Sequence, residues 1–207
     1  MKVLLINGSP HAKGCTATAL GVVAHELELN GIEAETVHVG HKDTRGCVGC
    51  FRCRELGHCV FDKDMVNEVA RKFEAADGLV VGSPVYFAGA NGTLVSFLDR
   101  LFFSTTFDKR FKVGAAVVSA RRMGTTATLD QLNKYFLHGE MPVAASRYWN
   151  AVHGNTPEEV MRDEDGLQTM RVLGRNMAFL IRAIAHERES SGLPEAESRR
   201  IATNFIR

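Results

Sequence analysis

The sequence has almost no excess charge of either sign. Its 25 lysines and arginines stand against 24 aspartates and glutamates, which leaves a formal net charge of +1. Surfaces that bind nucleic acid or anionic membranes need a clustered positive excess, so we expect neither as a partner. No apolar stretch is long enough to span a bilayer. Because the chain enters a core strand directly, we also expect no signal peptide.

Several familiar patterns are missing. The sequence has no internal repeat, no low-complexity segment, no G-x-G-x-x-G fingerprint and no Gly-Lys-Ser/Thr triplet. Cysteine is scarce, with five in 207 residues, and four of the five lie between Cys47 and Cys59. This is not the pattern of a secreted disulfide scaffold, so we expect a reducing cytoplasm. The length and composition predict one α/β domain with a sizeable core.

The N-terminal stretch has the pattern of a strand, a loop and a helix. Residues 2–7 are nearly all apolar, as in a parallel strand buried on both faces. Apolar residues recur at helical spacing over 17–30. A helix N-terminus with free N–H groups suits a phosphate, and we predict donors at Ser9, Thr16 and the backbone around Gly14. The alternative is an ordinary capped strand–helix turn.

The rest of the chain alternates strands and helices, which predicts a parallel sheet with helices on both faces. We expect one domain over 1–187 with a cysteine-rich insert at 40–61. A tail at 188–207 is a candidate oligomerisation arm. The further predicted strands are 32–39, 79–81, 113–118 and 142–145. Four further helices are predicted. The first begins near Asp62 or Asp64, the second begins near Asn91 or Thr93, the third covers 125–137, and the fourth runs from 157 to 187.

Three loops with unusual residues follow strands of this sheet: 8–16, 83–91 and 119–124. The carboxyl ends of parallel strands lie at one edge, where ligands of open α/β sheets bind. A phosphate at the first loop and a flat ring between the other two would describe a mononucleotide cofactor.

The residues of these loops are Gly8-Ser9-Pro10 with Gly14 and Thr16, then Ser83-Pro84-Val85-Tyr86-Phe87, then Ser119-Ala120-Arg121-Arg122 with Gly124. Together they resemble the flavin loops of the NADPH-dependent FMN reductase family, in register over about residues 1–150. The resemblance implies a flavodoxin-like three-layer sandwich with a five-stranded parallel sheet in the order 2-1-3-4-5. It also implies FMN, NAD(P)H as co-substrate, and a homodimer or homotetramer.

The resemblance also implies positions for the cofactor. The phosphate falls at Ser9, His11, Lys13, Gly14, Cys15 and Thr16, the ring at Pro84, Val85, Tyr86 and Phe87, and the closing loop at Ser119, Ala120, Arg121 and Gly124. Cys15 departs from the family, in which asparagine or serine is frequent here. Tyr86 or Phe87 would stack on the ring, or else belong to the core or an interface. Arg121 and Arg122 would bind a dinucleotide phosphate, stabilise reduced flavin, or be surface charges.

The second signal is the spacing of Cys47, Cys50, Cys53 and Cys59. The two-residue gaps match ferredoxin runs that hold a 4Fe–4S cluster, and this pattern resembles the iron–sulfur flavoproteins. Reactive or structural thiols and a zinc site stay open as alternatives. His58 is a substitute ligand candidate, and His153 a candidate for a neighbouring subunit's site. The cations placed to favour thiolates are Lys42, Arg45, Arg52 and Arg54.

These features predict an FMN-dependent oxidoreductase in which the flavin, and no side-chain nucleophile, performs the chemistry. Electrons would come from NAD(P)H or a ferredoxin-like donor and pass to a quinone, a nitro or azo compound, oxygen or a protein. One alternative is a non-enzymatic flavodoxin-like carrier, against which the near-neutral charge argues. The other is a four-cysteine metal-binding or redox-sensing module, against which the three intact loops argue.

Overall fold

A computed structural model describes residues 1–197 and residue 201. The strands are β1 (Lys2–Asn7), β2 (Glu33–His38), β3 (Gly78–Tyr86), β4 (Gly89–Ala90), β5 (Val113–Ala120) and β6 (Ala151–His153). The helices are α1 (Cys15–Leu29), α2 (Cys53–Leu56), α3 (Val66–Glu74), α4 (Gly92–Ser104), α5 (Thr125–His138), α6 (Pro157–Val160) and α7 (Glu164–Ser190). Of the predicted tail, 188–190 belong to α7, and 198–200 and 202–207 lie outside the described residues.

The sheet has the predicted flavodoxin-like order. Five parallel strands run β2-β1-β3-β5-β6, which is 2-1-3-4-5 when only the parallel strands are counted. The small strand β4 pairs antiparallel with the end of β3. The strand order reverses between β1 and β3, and the carboxyl ends of those two strands therefore flank the crevice in which such sheets bind ligands.

Each face of the sheet has its own apolar core, because side chains alternate along a strand. Val3 and Leu5 face α1 and α7, whereas Leu4 and Ile6 face α3, α4 and α5. All four of these strand residues are fully buried. The central strands are therefore apolar on both sides, which explains why their sequences are unbroken hydrophobic runs.

The second ligand loop is shorter than predicted. β3 continues through Tyr86, and its register with β5 extends to Pro84 opposite Ser119. The prediction that 83–91 is all loop was therefore wrong for 83–86. A tight turn follows in which Phe87 and Ala88 have positive φ angles of 50° and 59°. The hairpin to β4 stiffens this segment at the edge where the ligand is expected.

The predicted fifth strand at 142–145 was also wrong. In that stretch only Val143 forms a bridge, to Gly114 near the start of β5. The regular pairing is made by β6, from Val118 opposite Ala151 to Ala120 opposite His153. Two separate segments thus complete one edge of β5, because each covers only part of the eight-residue strand.

The long C-terminal helix is interrupted. The prediction of one helix over 157–187 fails at Asp163, where α6 has ended and α7 begins. The Asp163 carboxylate accepts a hydrogen bond from the N–H of Gly166 at 3.0 Å. Side-chain capping of this kind satisfies amide groups that a continuous helix would pair internally, so the aspartate fixes the new start. No helix in the described part of the chain combines the length and apolarity that crossing a bilayer would require.

Candidate functional site

The three predicted loops converge on one cavity of about 730 Å³ at the carboxyl edge of the sheet. The first loop contributes the largest share of the lining, and the neighbouring ends of β3 and β5 contribute an adjoining part of the wall. The residues that line the cavity are Ser9, Pro10, His11, Ala12, Lys13, Gly14, Cys15, Thr16, Pro84, Val85, Tyr86, Ser119, Ala120, Arg121, Gly154, Asn155, Thr156 and Pro157.

The N-terminus of α1 opens into this cavity without a side-chain cap. Gly14 is the N-cap residue, has extended backbone angles, and makes no side-chain hydrogen bond to the helix. The first amide groups of a helix have no partner within it, and here no side chain takes their place. Such amides, together with the positive end of the helix dipole, form a site for an anionic group.

Hydrogen bonds within the first loop and from β2 fix its conformation. The Asn7 side chain accepts a hydrogen bond from the Ser9 N–H at 3.0 Å, and the Ser9 hydroxyl accepts one from the His11 N–H at 3.1 Å. The His38 ring at the end of β2 lies 2.7 Å from the Ser9 carbonyl oxygen. These bonds satisfy the loop internally and leave its cavity side for a ligand.

The backbone after β2 also approaches this loop closely. A Cβ atom placed on Gly40 would lie 2.3 Å from the carbonyl oxygens of Gly8 and Ser9. Only glycine fits there without displacing the loop. From the other side, the Asn91 amide donates to the Gly8 carbonyl at 2.7 Å.

Thr16 links the first loop to the third. Its side chain is fully buried, and its hydroxyl hydrogen-bonds the Ser119 hydroxyl at 2.8 Å. The neighbouring Cys15 places its sulfur 3.7 Å from the Gly154 carbonyl. Burial raises the pKa of the Cys15 thiol, and the carboxylates of Glu159 and Glu158 raise it further. The thiol is therefore neutral at physiological pH and adds no negative charge to the anion site.

The residues predicted near the ring divide into two groups. Pro84, Val85 and Tyr86 line the cavity, and Tyr86 is 44% exposed. Phe87 does not line it and is fully exposed, so it belongs neither to the core nor to this wall. Gly124 also lies outside the lining and serves as the N-cap of α5, with a φ of 97°.

The third loop contributes Ser119, Ala120 and Arg121 to the cavity, whereas Arg122 is exposed and outside it. Ser119 and Ala120 are buried at the end of β5, and Arg121 is exposed at the rim. A single cation therefore stands at the mouth on this side of the cavity.

The sequence analysis missed a fourth wall formed by Gly154, Asn155, Thr156 and Pro157. Thr156 caps α6 by accepting a hydrogen bond from the Glu159 N–H at 3.3 Å. The Glu159 carboxylate in turn accepts from the Asn155 N–H at 2.6 Å. A threonine followed three residues later by glutamate is a capping-box signal, which could have placed this turn but not its position beside the cavity.

The four clustered cysteines line a second, smaller cavity. Cys53 and Cys59 are buried, whereas Cys47 and Cys50 are exposed. None of the five cysteines, all within the described residues, forms a disulfide. The remaining lining is mostly apolar and consists of Val48, Phe51, Val60, Phe61, Phe103, Ser104 and Arg100.

The four cysteines line the cavity without forming a preassembled site for a metal ion. Among the described residues, no three histidine, cysteine or acidic side chains are close enough to hold a single metal ion. A zinc ion would need its thiolates at about 2.3 Å from one centre. Ser104 also lines this cavity, and its buried hydroxyl oxygen has no hydrogen-bond partner there. Four thiols and an unpaired hydroxyl are donors suited to a metal–sulfide cluster, although the cavity that they line is only about 20 Å³ in volume.

The cation that touches a cysteine was not predicted. Arg100, on α4, donates from Nε to the Cys59 sulfur at 3.3 Å. Burial lowers the pKa of Arg100, but hydrogen bonds to Asp64 and Cys59 outweigh it and raise the pKa overall. A helix position far along the chain gave no sequence signal of this contact.

The cations predicted from the sequence have other contacts. Arg45 stacks over Phe61 with 4.5 Å to the ring centroid, and Arg54 over Phe51 with 4.4 Å. Arg52 pairs with Glu55 at 3.7 Å, and Lys42 is exposed. These side chains cover the insert from outside and do not line the cavity.

The two singled-out histidines lie outside both cavities. The His58 ring is 3.0 Å from the carbonyl oxygen of Cys59 and is absent from the thiol lining. His153, in β6, is exposed, and its N–H donates to the Asp163 carboxylate at 2.6 Å. Its approach to a second subunit stays a prediction.

Comparison with known proteins agrees with this geometry. An iron–sulfur flavoprotein of Methanocaldococcus jannaschii is 34% identical over 192 residues, covering 89% of this chain and 99% of that protein. Among solved structures, RosB with a bound riboflavin-phosphate derivative covers 100% of this chain and 94% of that one, with a TM-score of 0.74 at 17% identity. A WrbA-like flavodoxin from Agrobacterium tumefaciens covers 88% of this chain and 98% of that one, with a TM-score of 0.61 at 17% identity.

The fold is therefore flavodoxin-like, and the three sequence motifs meet at the carboxyl edge of its sheet. The sequence model of the NADPH-dependent FMN reductase family matches residues 1–156, which include all three motifs and most of the fourth wall. This chain belongs to the NADPH-dependent FMN reductase family of FMN-binding flavin oxidoreductases.

Proposed function

We propose that the larger cavity binds FMN with the phosphate at the N-terminus of α1 and the ring between the ends of β3 and β5. The observation that carries this proposal is the convergence of all three motif loops on one cavity that contains an uncapped helix N-terminus. The phosphate contacts proposed are Ser9, His11, Lys13, Gly14, Cys15 and Thr16, and the ring contacts are Pro84, Val85, Tyr86, Ser119, Ala120 and Arg121. Phe87 and Gly124 act by shaping the turns that bear these contacts.

Bound FMN would supply the hydride and electron chemistry, and the protein's task is to bind and orient it. The backbone amides of α1 hold the phosphate. The extended β3 end offers N–H and C=O groups to the polar edge of the ring, and Tyr86 offers an aromatic face. Ser119 and Ala120, buried at the end of β5, exclude water from the opposite side.

We further propose that Cys47, Cys50, Cys53 and Cys59 hold a 4Fe–4S cluster. Four thiols lining one largely apolar cavity support this. The relative's name, iron–sulfur flavoprotein, agrees with the proposal. A zinc site and reactive or structural thiols without metal are the competing hypotheses.

The chain's donors and acceptors follow from these two sites. NAD(P)H would approach at the rim, where Arg121 is available to a phosphate, and a ferredoxin-like protein would supply single electrons if the cluster is present. We propose a quinone, a nitro or azo compound, oxygen or a protein as acceptor.

The unpaired cysteines favour a reducing cytoplasm. Exposed apolar side chains beside the ligand edge, including Phe87 and Met123, favour a homodimer or homotetramer.

The test is an anaerobic visible spectrum of the purified protein with iron and acid-labile sulfide analysis. We expect FMN absorption and about four irons per chain, the content of a 4Fe–4S cluster. Cys53→Ser should lose the iron and keep the flavin. Cys15→Ser, which removes the one cysteine outside the insert, is the matched control for the iron content and should keep the iron.

The outcomes separate the hypotheses. Flavin without iron after anaerobic reconstitution with iron and sulfide would leave a cluster-free flavin reductase with a thiol-rich loop. Iron without flavin, even after FMN is added, would favour the metal-binding module. A reduced flavin that turns over none of the proposed small-molecule acceptors, whether NADPH, NADH or reduced ferredoxin is the donor, would favour the electron carrier.

A further inference from the structure

Arg100 is the largest fully buried side chain of the protein, with an exposed fraction of 1%. It lies on the apolar face of α4, between residues that pack into the core. A buried cation is costly unless it is paired and all of its N–H groups are hydrogen-bonded. Its presence in the core therefore calls for partners strong enough to keep it there.

Those partners all come from the insert and the segment just after it. Asp64 accepts from both terminal nitrogens of the guanidinium. Two carbonyls accept as well, that of Phe61 at 2.8 Å and that of Arg45 at 3.4 Å. The remaining donor, Nε, points at the Cys59 sulfur at 3.3 Å. Every nitrogen of the Arg100 guanidinium is thus used, and one of them is used on a proposed cluster ligand.

Cys59 is held in place independently of Arg100. The Asn67 side chain accepts from the Cys59 N–H at 3.0 Å and donates to the Cys59 carbonyl at 2.9 Å. The backbone of Cys59 is therefore clamped by a neutral amide, whereas its sulfur is contacted by a charged donor. This division allows the two roles to be separated by substitution.

We propose that Arg100 is a positioning residue that donates a charge-assisted hydrogen bond to the sulfur of Cys59 and raises the reduction potential of the cluster. The proposal rests on the proposed function, namely a 4Fe–4S cluster at the four cysteines. One-electron reduction adds one negative charge to a cluster already made negative by its thiolates. A fixed guanidinium stabilises that charge, and hydrogen bonds to ligand sulfurs and local charge are known determinants of cluster potential.

The neighbouring Asp64 allows a specific test, because its negative charge is opposite to the positive charge of Arg100. Removing the Arg100 charge and its donor should lower the potential. Removing the Asp64 charge leaves the guanidinium without its counter-charge and should raise the potential. An arginine that merely anchors the insert predicts loss of iron in both variants and no such opposition.

The experiment is an anaerobic redox titration of the reconstituted protein, followed by visible absorption and electron paramagnetic resonance, with iron content measured for each sample. The variants are Arg100→Gln, Asp64→Asn and, as a charge-neutral control, Asn67→Ala. We expect a lower potential for R100Q, a higher one for D64N, and the wild-type value for the cluster that N67A retains.

The outcomes are distinguishable from failure of the proposed function. If the wild-type protein holds no iron after reconstitution, the cluster and this inference both fall. If the variants hold clusters at the wild-type potential, or shift in the same direction, only the inference is overturned. If R100Q cannot hold a cluster, the reduction potential of the D64N cluster tests the inference alone, and a potential above the wild-type value supports it. Loss of iron from both variants with flavin still bound assigns Arg100 a purely structural role and overturns the inference.

Discussion

At the scale of single residues, the hydrogen bond between Thr16 and Ser119 ties the phosphate loop to the wall formed by β5. Both hydroxyls are buried, and they lie 2.8 Å apart. A buried hydroxyl deprived of its partner keeps its desolvation cost, whereas removing both partners together can be nearly neutral. The pair is therefore suited to a double-mutant cycle.

We expect Thr16→Val to destabilise the apoprotein by about 1–3 kcal/mol, because the Ser119 hydroxyl loses its partner. Ser119→Ala should cost a similar amount. The double variant should be less destabilised than the sum of the two single variants, as measured by urea unfolding without flavin. Strictly additive losses would show that the two hydroxyls do not depend on each other.

Glu35, on β2, connects β1 to α3 through two lysines. Its carboxylate oxygens lie 2.5 Å from the amines of Lys2 and Lys72. The hydrogen bond from Lys2, followed by that from Lys72, lowers the pKa of Glu35 below its usual value of 4.5. A carboxyl with a lowered pKa in the folded state stabilises the protein above its unfolded pKa, and that stability is lost as pH falls through the folded pKa.

We therefore expect Glu35→Gln to lower the urea midpoint at pH 7 and to approach the wild-type midpoint at a pH below the folded pKa of Glu35. The control is Glu33→Gln, because Glu33 is 69% exposed and contacts only Lys2, at 3.3 Å. Its effect at pH 7 should be smaller. A difference between E35Q and wild type that does not change with pH would contradict the ion-pair explanation.

At the scale of elements, the N-terminus of α1 is the proposed binding site for the FMN phosphate. Its first amides have no side-chain cap, and the thiol of Cys15 beside them is neutral. Hydrogen bonds to a charged partner contribute about 1.5–3 kcal/mol, which corresponds to roughly 10- to 100-fold in affinity. If the FMN phosphate binds here as proposed, this element distinguishes FMN from the same flavin without its phosphate.

We expect riboflavin to bind the apoprotein roughly 10- to 100-fold more weakly than FMN, as measured by quenching of flavin fluorescence. Inorganic phosphate should compete with FMN and leave riboflavin binding unaffected or improved, since phosphate and riboflavin occupy different parts of the cavity. Equal affinities for the two flavins would place the phosphate away from α1.

The elements that were predicted best are those with local signals. Helix α4 begins where Asn91 predicted it, because the asparagine side chain accepts from the Thr93 N–H at 3.2 Å. The extension of β3 through Pro84 was missed because proline–hydrophobic sequences occur in loops and edge strands alike. In the structure, the pairing of Pro84 with Ser119 on β5 shows that this segment belongs to the strand.

At the scale of the whole molecule, the two cavities share no lining residue. The proposed flavin cavity is lined by the loop after β1, the ends of β3 and β5 and the turn before α6, and the thiol cavity by the insert and α4. Effects of substitutions at separate sites without shared partners are generally additive. The two cofactors should therefore load independently.

We expect Cys53→Ser to leave the FMN dissociation constant within about twofold of wild type, because it touches no residue of the flavin cavity. Reciprocally, Thr16→Val should leave the iron content of the reconstituted protein unchanged. Fluorescence titration and iron analysis on the same preparations measure both. Loss of flavin from the cysteine variant would show that the two sites are coupled through the fold.

The sequence by itself determined the strand–helix alternation, the order and spacing of the three motifs and the four-cysteine set. These depend on periodicity, capping and spacing, which are properties of neighbouring residues. Only the tertiary structure decided that β6 replaces 142–145 as the paired edge, that 154–157 closes the cavity, and that Arg100 reaches Cys59. Each of these joins segments distant along the chain; for Arg100 and Cys59 the separation is 41 residues. Which distant segments meet is set by packing and by the pairing of buried charges, and local sequence patterns do not encode those contacts.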